Sequence, residues 1–433
     1  MAQDSTAGVA MRAPVSTDQL DGLVSVLDLV RCGQARSRPE LARLSGLGRG
    51  AVAQRVAQLL DSGLLVEREL GRSTGGRPPR ELALRAEAGL VLVAPLGATH
   101  VAVGVTDLSG RLLDFVEEPG AIADGPEQIL HRVEELIEEL LTRDTVPVAP
   151  VYGIGVGLPG PVEFATGTPI SPPIMPGWDG YPVRARLAER FDVPVWVDND
   201  VNLMALGELR SGAARDEQDV IYVKIGTGIG AGLISDGRLH RGADGAAGDI
   251  GHATVAGASG VVCRCGNIGC LEALAGGAAL SRDATVAAQE GRSTYLRQIL
   301  DDNGAIAAAD VGRAALHGDA VAVELLTRSG QLVGETLATL VNFFNPSLVL
   351  LGGGVALSGD VILATVREAV YRRSLRLATR ELRITRSTLA PDPALTGAAH
   401  MVLDELFSRQ RLGRWLPAGS PTGSPELAEE PAA

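Results

Sequence analysis

Cysteine is almost missing from this chain. Four occur in 433 residues, and three of them fall within CRCGNIGC, residues 263–270. So sparse a supply excludes a disulfide-stapled scaffold. No run of eighteen apolar residues occurs, which excludes a membrane-spanning helix of the usual kind. The first sixteen residues, MAQDSTAGVAMRAPVS, lack the charged start and apolar stretch of a secretory signal. A cytoplasmic protein is the expectation, and there thiols stay reduced. Clustered cysteines then point to a metal before a disulfide, with redox sensing or plain burial as the alternatives. A net positive charge is also absent. At −13, the molecule as a whole is unsuited to nucleic acid.

The charge is unevenly spread. From Arg31 to Arg85 eleven arginines face five acids (Glu40, Asp61, Glu67, Glu69 and Glu81), which leaves about −19 on the remainder. A basic head on an acidic body is one reading, and a solvated helical surface is the other. Residues 1–16 are expected to be disordered. DQLDGLVSVLDLVRCG has helical apolar spacing and stops at a glycine. Ser37 is a cap, with Pro39 and Glu40 in the first turn of a short helix that turns Leu41, Leu44 and Leu47 inward. Ser45-Gly46-Leu47-Gly48 makes a tight turn. A second helix runs from about Arg49 to Ser62 on Val52, Val56, Leu59 and Leu60. This is the helix-turn-helix pattern. Its exposed positions, Arg49, Gln54, Arg55 and Gln58, can donate to bases or phosphates. Two strands around Leu65 and Ala83 then flank GRSTGGRPPRE, a wing whose Arg72, Arg77 and Arg80 can lie along phosphates or enter a minor groove. Residues 17–88 therefore read as a winged helix-turn-helix domain for double-stranded DNA.

From residue 89 the texture becomes short apolar strands with glycine-rich ends, alternating with amphipathic helices. The order βββ-α-β-α, followed by a second βββ with helices, predicts two α/β lobes over 89–411. The stretch 412–433, ending SPTGSPELAEEPAA, is polar and proline-rich and reads as a disordered tail. Within the body, His252, Cys263, Cys265 and Cys270 form a one-His, three-Cys set. That composition suits a closed, structural zinc site.

Four motifs carry a resemblance: GAAGDIGH (245–252), CRCGNIGCLE (263–272), DND followed by Asn202, and GTGIGAG (226–232). They resemble the ROK proteins, a family of repressors, open reading frames and sugar kinases. The likeness runs from about Leu90 to Arg411, and the STGGRPP wing is similar to that of the repressor branch. The resemblance implies a two-lobed ribonuclease-H-like fold of the actin and sugar-kinase type, a sugar in the cleft, and dimers or tetramers. It implies sugar-facing roles for Asn199, Asp200, Asp249, His252 and Glu272, with Gly160 in the opposite wall. Asp249 stands where the family usually has the longer Glu. In family kinases the acid matching Asp200 takes the sugar hydroxyl proton.

Those kinases open on a strand ending Asp-x-Gly-Gly-Thr-Lys, whose acid organises magnesium and phosphates. Here the matching stretch is Pro95-Leu96-Gly97-Ala98-Thr99-His100. Pro95 has neither carboxylate nor N–H, Ala98 replaces a glycine and His100 the lysine. Losing that carboxylate removes several kcal/mol of metal and transition-state stabilisation. The expectation is a sugar-sensing transcription factor that is not an enzyme, with Asp200 a vestigial base. An ATP-dependent sugar kinase carrying a DNA-binding head is the alternative, and a regulator answering to a protein or a phosphosugar is a third.

Overall fold

A computed structural model describes residues 17–69, 80–258 and 260–429. The head comprises α1 (Thr17–Arg31), α2 (Arg38–Ser45), α3 (Arg49–Asp61) and a hairpin of β1 (Leu65–Glu69) with β2 (Arg80–Leu84). Ser37 caps α2: its side chain accepts from Glu40 N, and the Glu40 carboxylate accepts from Ser37 N at 3.1 Å. This reciprocal pair satisfies two amides that the first helical turn leaves free. Leu65 pairs with Leu84, and Glu67 with Leu82, which sets the hairpin register. Residues 1–16 and the wing tip with Arg72 and Arg77 lie outside the described residues.

Two expectations for the head are corrected. Leu44 is 43% exposed and does not join the core, because only Leu41 of short α2 turns inward completely. Arg55 is not on the open face of α3 but 7% exposed. Its Nη1 donates to Gln58 Oε1 at 3.2 Å, and its Nε lies against Gly22 of α1. The packing of α1 against α3, invisible in the local pattern, covers it.

The first lobe is built from β3 (Leu90–Pro95), β4 (His100–Asp107), β5 (Leu112–Pro119), α4 (Pro126–Leu141), β6 (Val151–Leu158), the small hairpin β7 (Val162–Glu163) and β8 (Thr168–Pro169), α5 (Val183–Phe191) and β9 (Val195–Asn199). Then α6 (Asp200–Ser211) leads to the second lobe: β10 (Val220–Ile225), β11 (Ile229–Ser235), β12 (Arg238–His240), α7 (Leu271–Ala275), α8 (Gly277–Gln289), α9 (Thr294–Asn303), α10 (Ala308–Leu316), α11 (Ala320–Phe344), β13 (Leu348–Gly352), α12 (Gly354–Leu357), α13 (Asp360–Arg373), α14 (Arg376–Thr379) and β14 (Arg383–Arg386). The chain returns to the first lobe through α15 (Pro393–Leu406) and ends with α16 (Arg409–Trp415).

The two sheets repeat one topology. Strand order is β5-β4-β3-β6-β9 in the first and β12-β11-β10-β13-β14 in the second. Each is an antiparallel meander of three strands with two parallel strands added beyond the first. This is the expected two-lobed ribonuclease-H-like arrangement. Every residue of β3 is buried, since α15 packs against it and α4 against its neighbour β4. Both faces being covered explains why it reads LVLVAP without alternation.

The tail is also corrected: residues 412–429 are not a loose appendage. Trp415, Leu427 and Ala428 are buried, Arg411 Nε donates to Leu427 O at 2.6 Å, and Thr422 Oγ1 donates to Val151 O at 2.9 Å. A few apolar anchors in a polar segment suffice, because a groove beside α15 and β9 receives them. One apolar cluster then runs from Leu23, Val26 and Leu27 of the head through Leu412 and Trp415 to α15 and α6. Among the described residues no helix is long and apolar enough to cross a membrane.

Candidate ligand cleft and cysteine cluster

The ends of β6 and β9 face the β10–β11 turn across a cleft of about 370 Å³. Asn199 closes β9 and caps α6. Its Oδ1 accepts from Val201 N at 2.9 Å, while its Nδ2 donates to Gly160 O at 2.9 Å. One side chain thus starts a helix and ties it to the opposite loop. Asp198 lies behind, 2% exposed, and accepts from Asn202 Nδ2 at 2.8 Å and Arg241 Nε at 2.7 Å. The Arg241 guanidinium covers the Phe164 ring at 3.8 Å. A buried charge held this completely supports the loop and leaves Asp200, two residues on, to the cleft.

The cleft is lined by all six residues singled out for a ligand: Gly160, Asn199, Asp200, Asp249, His252 and Glu272. Ala98 and His100 line it too. Burial raises the Asp249 carboxyl above its ordinary value, and the nearby His252 opposes the shift. Lys224 lines the same wall from β10 and was missed by sequence reasoning. Its ammonium is ion-paired with the Asp200 carboxylate, both side chains being largely buried. A signal was present in composition: Lys224 is the sole lysine of the chain.

The cysteine cluster forms the cleft's edge. The four candidate ligand atoms of His252, Cys263, Cys265 and Cys270 lie within 4.8 Å of one another. Cys263 Sγ is 3.6 Å from His252 Nδ1, and Cys265 Sγ is 3.7 Å from Cys270 Sγ, with all four cysteines of the chain unpaired by disulfides. A tetrahedral zinc with bonds of about 2.0–2.3 Å sets its ligands roughly 3.5–3.8 Å apart, so the set fits. The thiols differ. Burial pushes Cys263 up to about 12 and raises Cys270, whereas the Asn267 backbone N–H lowers Cys265. Stacked so close in a partly buried pocket, these sulfurs are a site that a divalent cation would stabilise. The cluster sits against the cleft's acids: Glu272 Oε1 is 3.4 Å from Cys263 Sγ, and Asp249 Oδ1 is 3.9 Å from His252 Nε2.

In the head, Arg49 and Gln54 of α3 are exposed. Arg80 is exposed and paired with Glu67 Oε2 at 3.1 Å across the hairpin.

Residues 93–405 match the ROK family. The chain belongs to that family. It is 31% identical over 384 residues to the xylose repressor of Caldicellulosiruptor bescii, covering 88% of this chain and 95% of the relative. It is 31% identical over 316 residues to the glucokinase of Halalkalibacterium halodurans, covering 73% of this chain and 96% of the relative. Among ROK structures, a transcriptional regulator homologous to the Mlc protein of Escherichia coli superposes with a TM-score of 0.80 at 24% identity, over 93% of this chain and all of that one. A ROK glucokinase from Streptomyces griseus, solved with glucose and AMPPNP, superposes with a TM-score of 0.64 at 30% identity over 72% of this chain and 99% of its own. The kinase matches are no longer than the two-lobed body. The repressor match exceeds everything after residue 88 and so reaches into the head.

Proposed function

We propose that this ROK protein is a sugar-responsive transcriptional repressor of carbohydrate-utilisation genes. Its head binds a double-stranded operator, and its cleft takes a sugar or sugar derivative. The observation that carries this reading is the pairing of a retained polyol-facing cleft with Pro95, which ends β3 without a carboxylate. Carboxylates and an amide in one cleft can each serve adjacent hydroxyls of a polyol. With no acid at position 95, the chain itself offers no ligand there for a phosphate-bound metal. The match to a named repressor along both head and body agrees with it.

A structural zinc held by His252, Cys263, Cys265 and Cys270 fits the donor set. It would fix the segment that carries Asp249 and Glu272, while His252 Nε2 stays turned toward Asp249. We place the protein in the cytoplasm, where such thiols stay reduced, and as a homodimer or homotetramer. A pseudo-palindromic operator would then match two heads related by two-fold symmetry. The cleft lies between lobes, so a ligand that binds one lobe arrangement better shifts the spacing of the heads. Only that difference in affinity can drive the response.

Selection of bound genomic fragments with and without candidate sugars tests this. An operator whose occupancy changes with a sugar is the expected result. A second reading is favoured by Asp200, whose carboxylate sits in the cleft: an ATP-dependent sugar kinase with a DNA-binding head. Coupled ADP release across a hexose panel, abolished in Asp200→Ala, would establish it instead.

A further inference from the structure

Arg241 is the first residue beyond β12, in the second lobe, and its side chain crosses to the first. Its Nε donates to Asp198 Oδ2 at 2.7 Å, near the end of β9. Its guanidinium also lies 3.8 Å from the centre of the Phe164 ring, just beyond β7. A planar guanidinium suits a carboxylate and an aromatic face together, whereas an ammonium lacks the flat surface for stacking. The contact is largely dry, with the Arg241 side chain 23% exposed and that of Asp198 2%. An ion pair so placed is little screened by salt.

The part of the first lobe that Arg241 reaches is itself held. Buried Arg184 of α5 donates to Phe164 O at 2.8 Å, to Ala165 O at 2.5 Å and to Val195 O of β9 at 3.0 Å. The hairpin bearing Phe164 is thereby fastened to the strand bearing Asp198. Asp198 Oδ1 in turn accepts from Asn199 N at 2.7 Å, where the chain enters the cleft.

On the other side, Arg241 opens the segment RGADGAAGD, residues 241–249, whose last five residues line the cleft. Ala247 N donates to Arg241 O at 3.0 Å and closes the segment into a loop. Gly245 passes so near β7 that a Cβ would lie 2.4 Å from Val162 O. Ala231 N of β11 donates to Gly248 O at 2.8 Å. The loop therefore meets the first lobe at Arg241 and Gly245 and the second lobe at Gly248, with Asp249 next. Arg241, Asp198 and Phe164 themselves do not line the cleft.

We propose that Arg241 is a positioning residue for the ligand. It holds the loop of the second lobe against the first and so sets the spacing between Asp249 on one wall and Asn199 and Asp200 on the other. A ligand then meets polar groups already in place, and less binding free energy is lost in ordering them. This deepens the sugar-sensing reading and rests on it. Arg241 acts through Asp198 and Phe164 and touches no ligand.

Calorimetric titration of the full chain with glucose, xylose and N-acetylglucosamine tests the proposal, together with hydrogen exchange and thermal melts. Arg241→Met should weaken binding of any sugar that the wild type takes by about ten-fold or more. It should also speed amide exchange over 242–249 and leave α1–α3 of the head unchanged. Arg241→Lys keeps the charge without the stack and should fall between the two. Phe164→Leu should weaken binding in the same direction although the ion pair remains. Arg241→Met also leaves Asp198 buried without its countercharge, which by itself lowers stability. The double variant Arg241→Met/Asp198→Asn removes that charge as well. It should recover much of the lost melting temperature and keep the weak binding and fast exchange. Recovery of sugar affinity along with the melting temperature would overturn the proposal, as would unchanged exchange over 242–249 in Arg241→Met. Wild-type protein that binds none of the sugars would remove the sugar-sensing reading itself. Exchange in the double variant then decides alone whether Arg241 holds the loop.

Discussion

Arg31, in the last turn of the head's first helix, donates to Asp404 Oδ1 of α15 at 2.9 Å. The other oxygen of Asp404 accepts from Arg210 at 2.6 Å, in the last turn of α6. The same α6 begins at Asp200 in the cleft. It lies directly on α15: a Cβ at Gly397 would sit 1.7 Å from Leu203 O, and one at Gly207 2.0 Å from Pro393 O. Backbones this close move together, so the cleft and the head are joined by a rigid helix pair and one carboxylate.

Arg31→Met should therefore weaken the sugar-induced change in operator affinity while leaving sugar binding within two-fold. Loss of one partner from this partly buried charge pair should also cost about 1–3 kcal/mol of stability. Fluorescence anisotropy with labelled operator, with and without ligand, measures the first effect and thermal melts the second. An unchanged sugar response would show that the link is only structural.

His400 lies one helical turn before Asp404, and burial lowers its pKa to about 4, with Asp404 opposing the shift. The unfolded chain takes up this proton near pH 6.5, the folded chain only near 4. The associated stability is complete above pH 6.5 and is lost as pH falls toward 4, by up to about 3 kcal/mol. Asp404 is also buried, but Arg31 and Arg210 more than offset that and hold its carboxyl below the usual value. Its contribution is present above the ordinary carboxylate range and fades only at still lower pH. Urea denaturation across pH 4–7 should show the first loss, and His400→Gln should flatten it.

Arg49 and Arg55 should behave differently although six residues apart on α3. Arg49→Ala should weaken operator binding with no change in melting temperature, because its side chain is exposed. Arg55→Ala removes a buried stem and should destabilise the head by about 1–3 kcal/mol, weakening binding only to that extent. Arg77→Ala should weaken binding to many sequences alike and lower the salt slope by about one. Anisotropy at several salt concentrations with parallel melts separates the three.

Removal of metal should loosen 249–272 and lose sugar binding, since Asp249 and Glu272 border the cysteine cluster. Metal content, calorimetric titration and hydrogen exchange before and after chelation check this. Zinc readdition should release protons, because neutral thiols such as Cys263 must ionise to bind it. Normal sugar affinity in metal-free protein would leave the cluster no part in the cleft.

Much of the fold and of the site was written locally. The Ser37–Glu40 capping box, the β10–β11 hairpin with its glycine turn, the close spacing of Cys263, Cys265 and Cys270 and the proline at 95 depend on neighbours within a few residues, and spacing alone displays them. The six cleft residues were legible through the family resemblance, which short local motifs such as GAAGDIGH and CRCGNIGCLE carry, and all six line the cleft. What the tertiary structure decided involves partners far apart in the chain. Arg55 is covered by α1, Leu427 and Ala428 are buried against elements that precede them, Lys224 meets Asp200 across 24 positions, and Arg31 meets Asp404 across 373. Backbone periodicity constrains which face of an element is apolar. It carries no record of which distant side chain will arrive to neutralise a charge, and only packing of the whole chain settles that.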